Sequence, residues 1–476
     1  MASPIITVAQ MREWEMSTWA TGLTEESVIR QAGAAVAAVA QAVTHEEDTI
    51  LVLAGKGHNG DDARLAAKQL RERELEVLPM SDPAAALPAL RERMAHRPAL
   101  IIDGLFGIGL NRPLSEEWIA VIRCLNESGL PILAVDTPSG LHADDGVPQP
   151  ESVRATWTLT LGAVKRGLVQ PTAWPYVGRL LVAQDIGLAD CPVGSECELA
   201  QADDFTRFPP PRAIDAHKGS FGHLVIIAGS LGYHGAAVLA SRGAQHAQPG
   251  LITLYTQEAV YVPVAAQLQS VMVRPWPASL TLPPRCTGVV VGPGLADEGL
   301  PRAFKEAVGQ LWAQSRLPIV ADASALDWLP EGATPEGALR VMTPHPGEAA
   351  RLLVKDTGEV QRDRITHLRA LSARWGGAHV VLKGHQTISG RATGRILVNS
   401  SGNPRLAQGG SGDVLAGYLG GLLAQPNLQQ IPAKAIEFGV WQHGACADWL
   451  DATQANWTVE TLAGTLGEAP RADLII

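Results

Sequence analysis

The chain has 476 residues, 46% of them hydrophobic and 18% charged, with a formal net charge of -10 at pH 7. Its length exceeds that of one ordinary domain, and its apolar content excludes a disordered or fibrous protein. The negative charge, without any run of Lys or Arg, argues against nucleic acids and membranes as partners.

The sequence also predicts a cytoplasmic protein. Arg12 and Glu15 interrupt the N-terminal segment where an export signal needs apolar residues, and no run of 18 apolar residues occurs. The five cysteines are scattered and include no C-x-x-C pair. We therefore expect reduced thiols and no zinc site.

Strand-like runs alternate with helical stretches along the first part of the chain. These runs cover residues 49–53, 99–102, 131–135, 156–161 and 179–182. Such alternation predicts a parallel sheet with helices on both faces.

The pattern lapses between residues 189 and 212, a stretch that contains three consecutive prolines. We predict an exposed linker there. The strand-like runs then return at residues 224–228, 251–255, 288–291, 318–321, 380–382 and 395–398. The sequence thus predicts two different three-layer α/β domains in tandem, over residues 1–207 and 208–476.

Three polar, glycine-rich loops follow strands of the first predicted domain. They read AGKGHNGDD over residues 54–62, DGLFGIGLNRP over residues 103–113 and DTPSG over residues 136–140. The first precedes a helical stretch at residues 63–73, and a helix N-terminus offers N–H groups to a ligand. Because ligands bind at the carboxyl ends of parallel strands, we expect the loops to converge on one crevice. A set of tight structural turns is the alternative.

With these loops the first domain resembles the NAD(P)H-hydrate epimerases, whose pattern is G-x-G-N-N-G-G-D-G, then D-x-L-x-G-T-G, then D-x-P-S-G. The resemblance implies a Rossmann-like domain in which Asn59, Asp103 and Ser139 hold a potassium ion. It implies that Asp136 is catalytic. The residues it implies for binding the hydrated nicotinamide are His58, Asn59, Gly60, Asp61, Asp62, Gly107, Ile108, Gly109, Leu110, Asn111, Arg112, Pro113 and Asp136.

Three residues depart from this pattern. His58 replaces an Asn, and Asp61 and Ala63 replace glycines. We expect a carboxylate at position 61 to repel the substrate's phosphates, and a side chain there to resist a positive φ. The alternative function of the domain is binding without turnover.

A second glycine-rich segment, QGGSGD over residues 408–413, precedes a predicted helix at residues 414–424. Its small and apolar residues predict that this helix is buried. The glycines leave backbone N–H groups open as an anion hole, and we expect the helix dipole to keep Asp413 ionised as a general base. The alternative is a loop with a simple N-cap.

The second domain resembles the NAD(P)H-hydrate dehydratase branch of the ribokinase-like phosphotransferases. Its motifs follow the family's order: HKGSFG at residues 217–222, AGS at 228–230, VGPG at 291–294, DA at 322–323, TPHPGE at 343–348, KG at 383–384 and GGSGD at 409–413. Gln408 and Arg405 stand where the family has Thr and Gly. This difference leaves the geometry at the donor's phosphates open.

The resemblance implies two sets of contacts. The hydrated nucleotide would be bound by Ala236, Gly294, His345 and Asp413. The phosphate donor, ADP with a magnesium ion, would be bound by Lys383, Gly384, His385, Gln386, Thr387 and Gly412. The alternatives are a purely structural histidine at position 345 and a solvated lysine at position 383.

The two resemblances together imply repair of hydrated NADH and NADPH. The first domain would interconvert the R and S hydrates, and the second would dehydrate the S hydrate, converting ADP to AMP and phosphate. Asp413 would be the catalytic base. The alternative is a ribokinase-like small-molecule kinase fused to a non-catalytic nucleotide-binding domain. The sequence leaves open whether the chain forms a homo-oligomer.

Overall fold

The computed structural model describes residues 2–277 and 280–468. The chain forms two compact units that divide between Leu199 and Ala200, ahead of the boundary expected at residues 207 and 208. We call them the first domain (residues 2–199) and the second domain (residues 200–468). No helix in the described ranges is both long and apolar enough to cross a membrane.

The first domain is built on a parallel sheet. The strands of the whole domain are β1 Ser3–Ile6, β2 Thr49–Ala54, β3 Glu74–Pro79, β4 Leu100–Gly104, β5 Ile132–Val135, β6 Trp157–Leu161, β7 Val164–Lys165, β8 Arg179–Ala183 and β9 Cys197–Leu199. The main sheet has the order β3-β2-β4-β5-β6-β8 and is parallel throughout. The strand order reverses between β2 and β4, which is where open sheets of this kind bind ligands.

Helices cover both faces of this sheet, as predicted. They are α1 Val8–Ala20, α2 Glu25–Ala42, α3 His58–Gln69, α4 Pro83–Ala95, α5 Glu116–Glu127 and α6 Trp174–Val177. One apolar cluster joins α2 and α3 to the sheet through Val36, Ala66 and Val52. A second joins α4 and α5 to the opposite face through Leu90 and Ile122. The result is a three-layer, Rossmann-like domain.

The second domain has a longer sheet. Its strands are β10 His223–Ile227, β11 Leu251–Thr256, β12 Met272–Pro275, β13 Gly288–Val291, β14 Ile319–Ala321, β15 Arg340–Met342, β16 His379–Leu382, β17 Ile388–Gly390 and β18 Ile396–Val398. They run in the order β12-β11-β10-β13-β14-β15-β16-β17-β18. The strands from β12 to β16 are parallel, while β17 and β18 are antiparallel.

The second domain's helices are α7 His234–Ala247, α8 Tyr261–Ala265, α9 Arg302–Gln314, α10 Pro346–Leu353, α11 Thr357–Arg362, α12 Arg364–Arg374, α13 Ser411–Leu423, α14 Pro432–Thr453 and α15 Val459–Thr465. Helix α13 is buried from Val414 to Leu423, as predicted. Its glycines permit close packing: a Cβ on Gly417 would lie 1.8 Å from the carbonyl oxygen of Ala240 in α7. This contact explains a helix so rich in glycine, which is a poor helix former in isolation.

The prediction of an exposed linker over residues 189–212 is wrong in its middle part. Strand β9 lies within it, and Phe205 and Phe208 are buried in the second domain. The rings of Phe205 and Phe208 pack against Phe438 at centroid distances of 5.7 and 5.0 Å. Aromatic burial therefore outweighs the proline and polar content of the stretch.

Candidate active sites

The three loops of the first domain converge, as predicted. Asn59 lies in the first turn of α3, Asp103 lies in β4, and Ser139 follows β5. Asp103 is fully buried and accepts hydrogen bonds from Ser139 Oγ at 2.6 Å and from Ser139 N at 2.9 Å. Asn59 Nδ2 donates to the carbonyl oxygen of Phe106 at 3.0 Å, and Phe106 N donates to Ser139 Oγ at 2.9 Å.

This cluster offers oxygen atoms of three kinds: an amide, a carboxylate and a hydroxyl. Burial raises the pKa of Asp103 to about 6, although hydrogen bonds from Ser139 and Leu105 oppose the shift. A cation beside a buried carboxylate would compensate its charge, and hard oxygen ligands suit alkali cations. No group of three or more His, Cys, Asp or Glu side chains in the described ranges could hold a metal ion.

A cavity of about 590 Å³ opens next to this cluster, within the usual size of a small-molecule site. The predicted substrate-binding residues that line it are His58, Asn59, Asp62, Gly107, Ile108, Gly109, Leu110, Asn111, Arg112 and Asp136. Three others, Gly60, Asp61 and Pro113, are absent from its wall. Helix α1, for which no site residue was predicted, contributes Arg12 and Glu15 to the wall.

The expected strain at the departures from the family pattern is not found. Asp61 and Ala63 lie within α3, and the positive-φ residues of the chain do not include them. Asp61 Oδ1 accepts a hydrogen bond from Arg64 Nη1 at 2.7 Å, so its charge is paired. Ala63 is fully buried in the core. Because α3 already starts at His58, positions 61 and 63 have a helical backbone that does not require glycine.

Asp136 pairs with Lys165, a residue that no sequence motif had indicated. Lys165 Nζ donates to Asp136 Oδ1 and, at 2.7 Å, to the carbonyl oxygen of Leu161. Both side chains of the ion pair are buried, and both line the cavity. Asp136 has a left-handed backbone with φ 63°. A strained conformation of this kind persists only where its surroundings impose it, and it is frequent at active sites.

Two further carboxyl groups on the cavity wall have raised pKa values. Burial, followed by the negative charges of Asp136 and Asp61, raises the pKa of Asp62 to about 8, while Lys165 opposes this shift. Burial also raises the pKa of Glu15, again against the influence of Lys165. A protonated Asp62 thus lies near an ion-paired Asp136, the type of separation that gives one acid and one base in a single site.

In the second domain, Lys383 follows β16 and lies beside Asp322, which follows β14. Lys383 Nζ donates to Asp322 Oδ1 at 2.7 Å and lies 3.9 Å from Glu348 Oε2. Burial lowers the pKa of Lys383, but Asp322 and Glu348 outweigh this effect and the pKa is raised. Its side chain is only 19% exposed, so the alternative of a solvated lysine is wrong.

Asp413 lies in the first turn of α13, after Gly410 with φ 100°. The helix dipole was expected to keep Asp413 ionised, but it does not hold the pKa of this carboxyl group low. Burial, with the negative charges of Asp322 and Glu348, raises the pKa of Asp413 to about 7, although Lys383 opposes the shift. A carboxyl group with this pKa is suited to general base catalysis near neutral pH.

Gly412 lies opposite Lys383. A Cβ at position 412 would be 3.3 Å from Lys383 Nζ and 3.9 Å from Asp322 Oδ2. The structure therefore brings together the start of α13, Lys383 and Asp322. The sequence had identified the Asp322 motif without a role for its carboxylate.

His345 caps helix α10. Its Nδ1 accepts hydrogen bonds from Gly347 N at 3.0 Å and Glu348 N at 3.3 Å, while Glu348 Oε2 accepts one from His345 N at 2.7 Å. His345 thus has a structural role as a helix cap, which was the alternative to substrate binding. Because Nδ1 is an acceptor, a neutral ring carries its proton on Nε2, and the side chain is 56% exposed. The Nε2 atom lies 3.6 Å from Glu348 Oε1.

The other predicted substrate residues, Ala236 and Gly294, are neighbours. A Cβ on Gly294 would lie 2.8 Å from the Cβ of Ala236. Ser230 Oγ donates to the carbonyl oxygen of Gly294 at 2.7 Å. Ala236 and Gly294 thus lie where α7 begins and β13 ends, at the carboxyl edge of the sheet.

Comparisons with known proteins cover both domains. The family model described as NAD(P)H-hydrate dehydratase matches residues 224–469, and the one described as YjeF-related protein N-terminus matches residues 25–95 and 82–167. The bifunctional NAD(P)H-hydrate repair enzyme Nnr of Gloeobacter violaceus is 35% identical to this chain over 98% of each protein. The chain belongs to the bifunctional NAD(P)H-hydrate repair enzymes. The repair enzyme Nnr of Coxiella burnetii is 33% identical and matches 92% of this chain and 93% of its own.

A solved structure supports the fold of the second domain. A ribokinase-like superfamily protein of Enterococcus faecalis V583 aligns with 59% of this repair enzyme and 97% of its own chain, with a TM-score of 0.50 and 24% identity. This likeness shows a ribokinase-like fold. The family assignment favours the repair enzyme over a kinase fused to a binding domain.

Proposed function

We propose that the chain restores hydrated NADH and NADPH in two steps on two domains. The first domain interconverts the R and S hydrates, and the second dehydrates the S hydrate with ADP, releasing AMP and phosphate. The observation that carries this proposal is the position of Asp413, with its pKa near 7, at the start of α13 beside Lys383 and Gly412. It stands in a domain that matches the dehydratase family.

The second-domain reaction follows from this arrangement. Hydroxide is a poor leaving group, so the C6 hydroxyl of the hydrate is first phosphorylated. Asp413 accepts the hydroxyl proton as the oxygen attacks the terminal phosphorus of ADP, and the bond to the bridging oxygen breaks to leave AMP. Loss of phosphate from C6, with a proton from the adjacent carbon, then restores the ring double bond. The N–H groups at the start of α13 and the Lys383 ammonium stabilise the transferred group.

The carboxylates near Lys383 suit a magnesium ion bound mainly through the donor's phosphates. Asp322 and Glu348 both face the Lys383 ammonium. Mg²⁺ usually takes one or two protein carboxylates together with phosphate oxygens and water. Bound there, the ion would neutralise charge on the donor's phosphates.

For the first domain we propose that Asn59, Asp103 and Ser139 bind potassium. The support is a fully buried carboxylate that is hydrogen-bonded to Ser139, while Asn59 and Ser139 both contact the backbone of Phe106. A Cβ on the neighbouring Gly107 would lie 3.3 Å from Asn59 Oδ1, so a glycine here keeps the approach to this oxygen open. The hydrated nicotinamide would occupy the adjoining cavity, with Asp136 as the acid–base residue.

The test is incubation of the pure protein with a mixture of R and S hydrates, magnesium and either ADP or ATP. Recovery of NADH absorbance, with one AMP and one phosphate per NADH in the ADP reaction, supports the proposal. Loss of the R hydrate together with the S hydrate supports epimerisation. A phosphorylated product that accumulates without NADH would instead identify a kinase.

A further inference from the structure

Arg364, the first residue of α12, is buried against the segment between β16 and β17 that we call the Lys383 loop (residues 383–387). Its guanidinium donates four hydrogen bonds, three to carbonyl oxygens of this loop and one to that of Leu382 at the end of β16. Nη1 donates to His385 O at 2.8 Å and to Gln386 O at 3.0 Å, and Nη2 donates to Leu382 O at 2.9 Å and to Lys383 O at 3.3 Å.

These four bonds fix the direction of the loop's peptide groups. In a trans peptide the C=O and the following N–H point in opposite directions. With the carbonyls of residues 383, 385 and 386 turned to Arg364, the N–H groups of Gly384, Gln386 and Thr387 point away from the guanidinium. Lys383 N follows the same rule and donates to the carbonyl oxygen of Pro344 at 2.9 Å.

The loop's backbone conformation depends on such support. Gly384 has φ 135° and Gln386 has φ 49°, and a non-glycine residue in the left-handed region is unfavourable without external contacts. Successive N–H groups in turns of this kind form concave anion sites. Burial lowers the pKa of Arg364 to about 10, so it remains charged at neutral pH.

We propose that Arg364 is a positioning residue for the nucleoside diphosphate donor. It holds the Lys383 loop so that the loop's N–H groups and the Lys383 ammonium meet the donor's phosphates together. Arg364 itself acts through the loop. This inference rests on the proposed function, in which the donor binds at these residues.

The test is Arg364→Lys in the full chain, which replaces the planar guanidinium with an ammonium group and keeps the positive charge. The matched control is Arg369→Lys in the same helix, because Arg369 donates to the carbonyls of Ala392 at 3.0 Å and Gly394 at 3.2 Å, between β17 and β18. We expect Arg364→Lys to weaken ADP binding about 10-fold or more by calorimetry and to raise KM for ADP more than it lowers kcat. The control should bind ADP as the unmodified chain does.

Three outcomes are informative. If the unmodified protein bound neither ADP nor ATP, the proposed donor site itself would be contradicted. Normal ADP affinity in Arg364→Lys, with the unmodified protein binding ADP, would overturn the inference and leave the donor site intact. Hydrogen exchange on the unmodified protein decides the case if the variant does not fold. ADP should then protect the backbone amides of residues 384–387, and unchanged exchange there would overturn the inference.

Discussion

Lys165 and Asp136 form a buried ion pair on the wall of the first domain's cavity, with side-chain exposures of 1% and 10%. Neither residue lies in a strand of the main sheet. Lys165 lies in β7, and Asp136 directly follows β5. A buried pair at a cavity wall stabilises the local structure only while both charges are present, because each charge compensates the desolvation of the other.

Substitution Lys165→Met should therefore destabilise the first domain and abolish epimerisation. Removing one partner of a buried pair costs about 3–5 kcal/mol, since the other charge stays buried without compensation. Urea unfolding monitors the stability, and exchange between the R and S hydrates monitors the activity. Dehydration of the S hydrate by the second domain should continue.

The control is Lys68→Met, at an exposed position of α3. It should leave both stability and epimerisation unchanged. Adding Asp136→Asn to Lys165→Met should recover much of the stability without activity. If Lys165→Met unfolded like the unmodified chain, the pair would have no structural role.

Potassium should stabilise the first domain in a pH-dependent manner. Because the pKa of Asp103 is about 6, its carboxylate is available to a cation above that pH and is protonated below it. Thermal unfolding in KCl, compared with an equal concentration of a bulky organic cation chloride, should show a higher Tm at pH 8 and a much smaller difference at pH 5.

Asp103→Asn provides the control for this effect, since it keeps the side chain's size and removes its charge. The variant should show no potassium-dependent stabilisation at either pH. An equal gain in Tm for the variant and the unmodified chain would place the cation elsewhere.

The sequence predicts the fold well where strands are apolar. Strands β2, β4 and β5 are almost entirely buried, which is typical of central parallel strands. The predicted runs missed the strands β1, β3, β7, β9, β12, β15 and β17, and two of these show why. β3 lies at a sheet edge and has only one buried residue, Leu78, and β15 has only three residues and begins with the buried Arg340.

Site residues were likewise predicted where the sequence carries a motif and were missed elsewhere. Motifs at strand ends correctly brought Asn59, Asp103 and Ser139 together, because parallel strands place their carboxyl ends at one edge. Lys165 and Arg364 carried no comparable signal, since each acts through a partner distant in the chain. Their roles depend on three-dimensional packing, which neither local pattern nor spacing encodes.

Lys383→Ala should weaken binding of ADP by about 10-fold or more while affecting the hydrate less, because the ammonium serves the donor's phosphates. Titration calorimetry with each ligand separately measures both effects. Lys355→Ala is the matched control, since Lys355 is exposed and pairs with Glu359 on the surface. Unchanged ADP affinity in Lys383→Ala would leave Lys383 only its structural ion pairs with Asp322 and Glu348 and would exclude a role in donor binding.

Asp413→Asn should nearly stop the recovery of NADH while the first domain continues to equilibrate the two hydrates. Loss of a general base costs about 10²- to 10⁴-fold in rate, and asparagine keeps the size of the side chain. The variant would accumulate both epimers. Recovery of NADH at a rate near that of the unmodified chain would exclude Asp413 as the base.

The pH dependence of the dehydration rate and of the second domain's stability gives an independent check on Asp413 as the base. With its pKa raised to about 7 in the folded chain and near 3.9 when unfolded, Asp413 binds more protons in the folded state between these values. Its contribution to stability therefore falls as pH rises from about 4 to 7, while the rate of dehydration rises over the upper part of that range as the base ionises. Asp413→Asn does not titrate there, so the variant's second domain should unfold at a higher temperature than the unmodified domain at pH 8, and at nearly the same temperature at pH 4. A dehydration rate independent of pH between 6 and 8, or equal Tm values at pH 8, would contradict a buried Asp413 acting as the base.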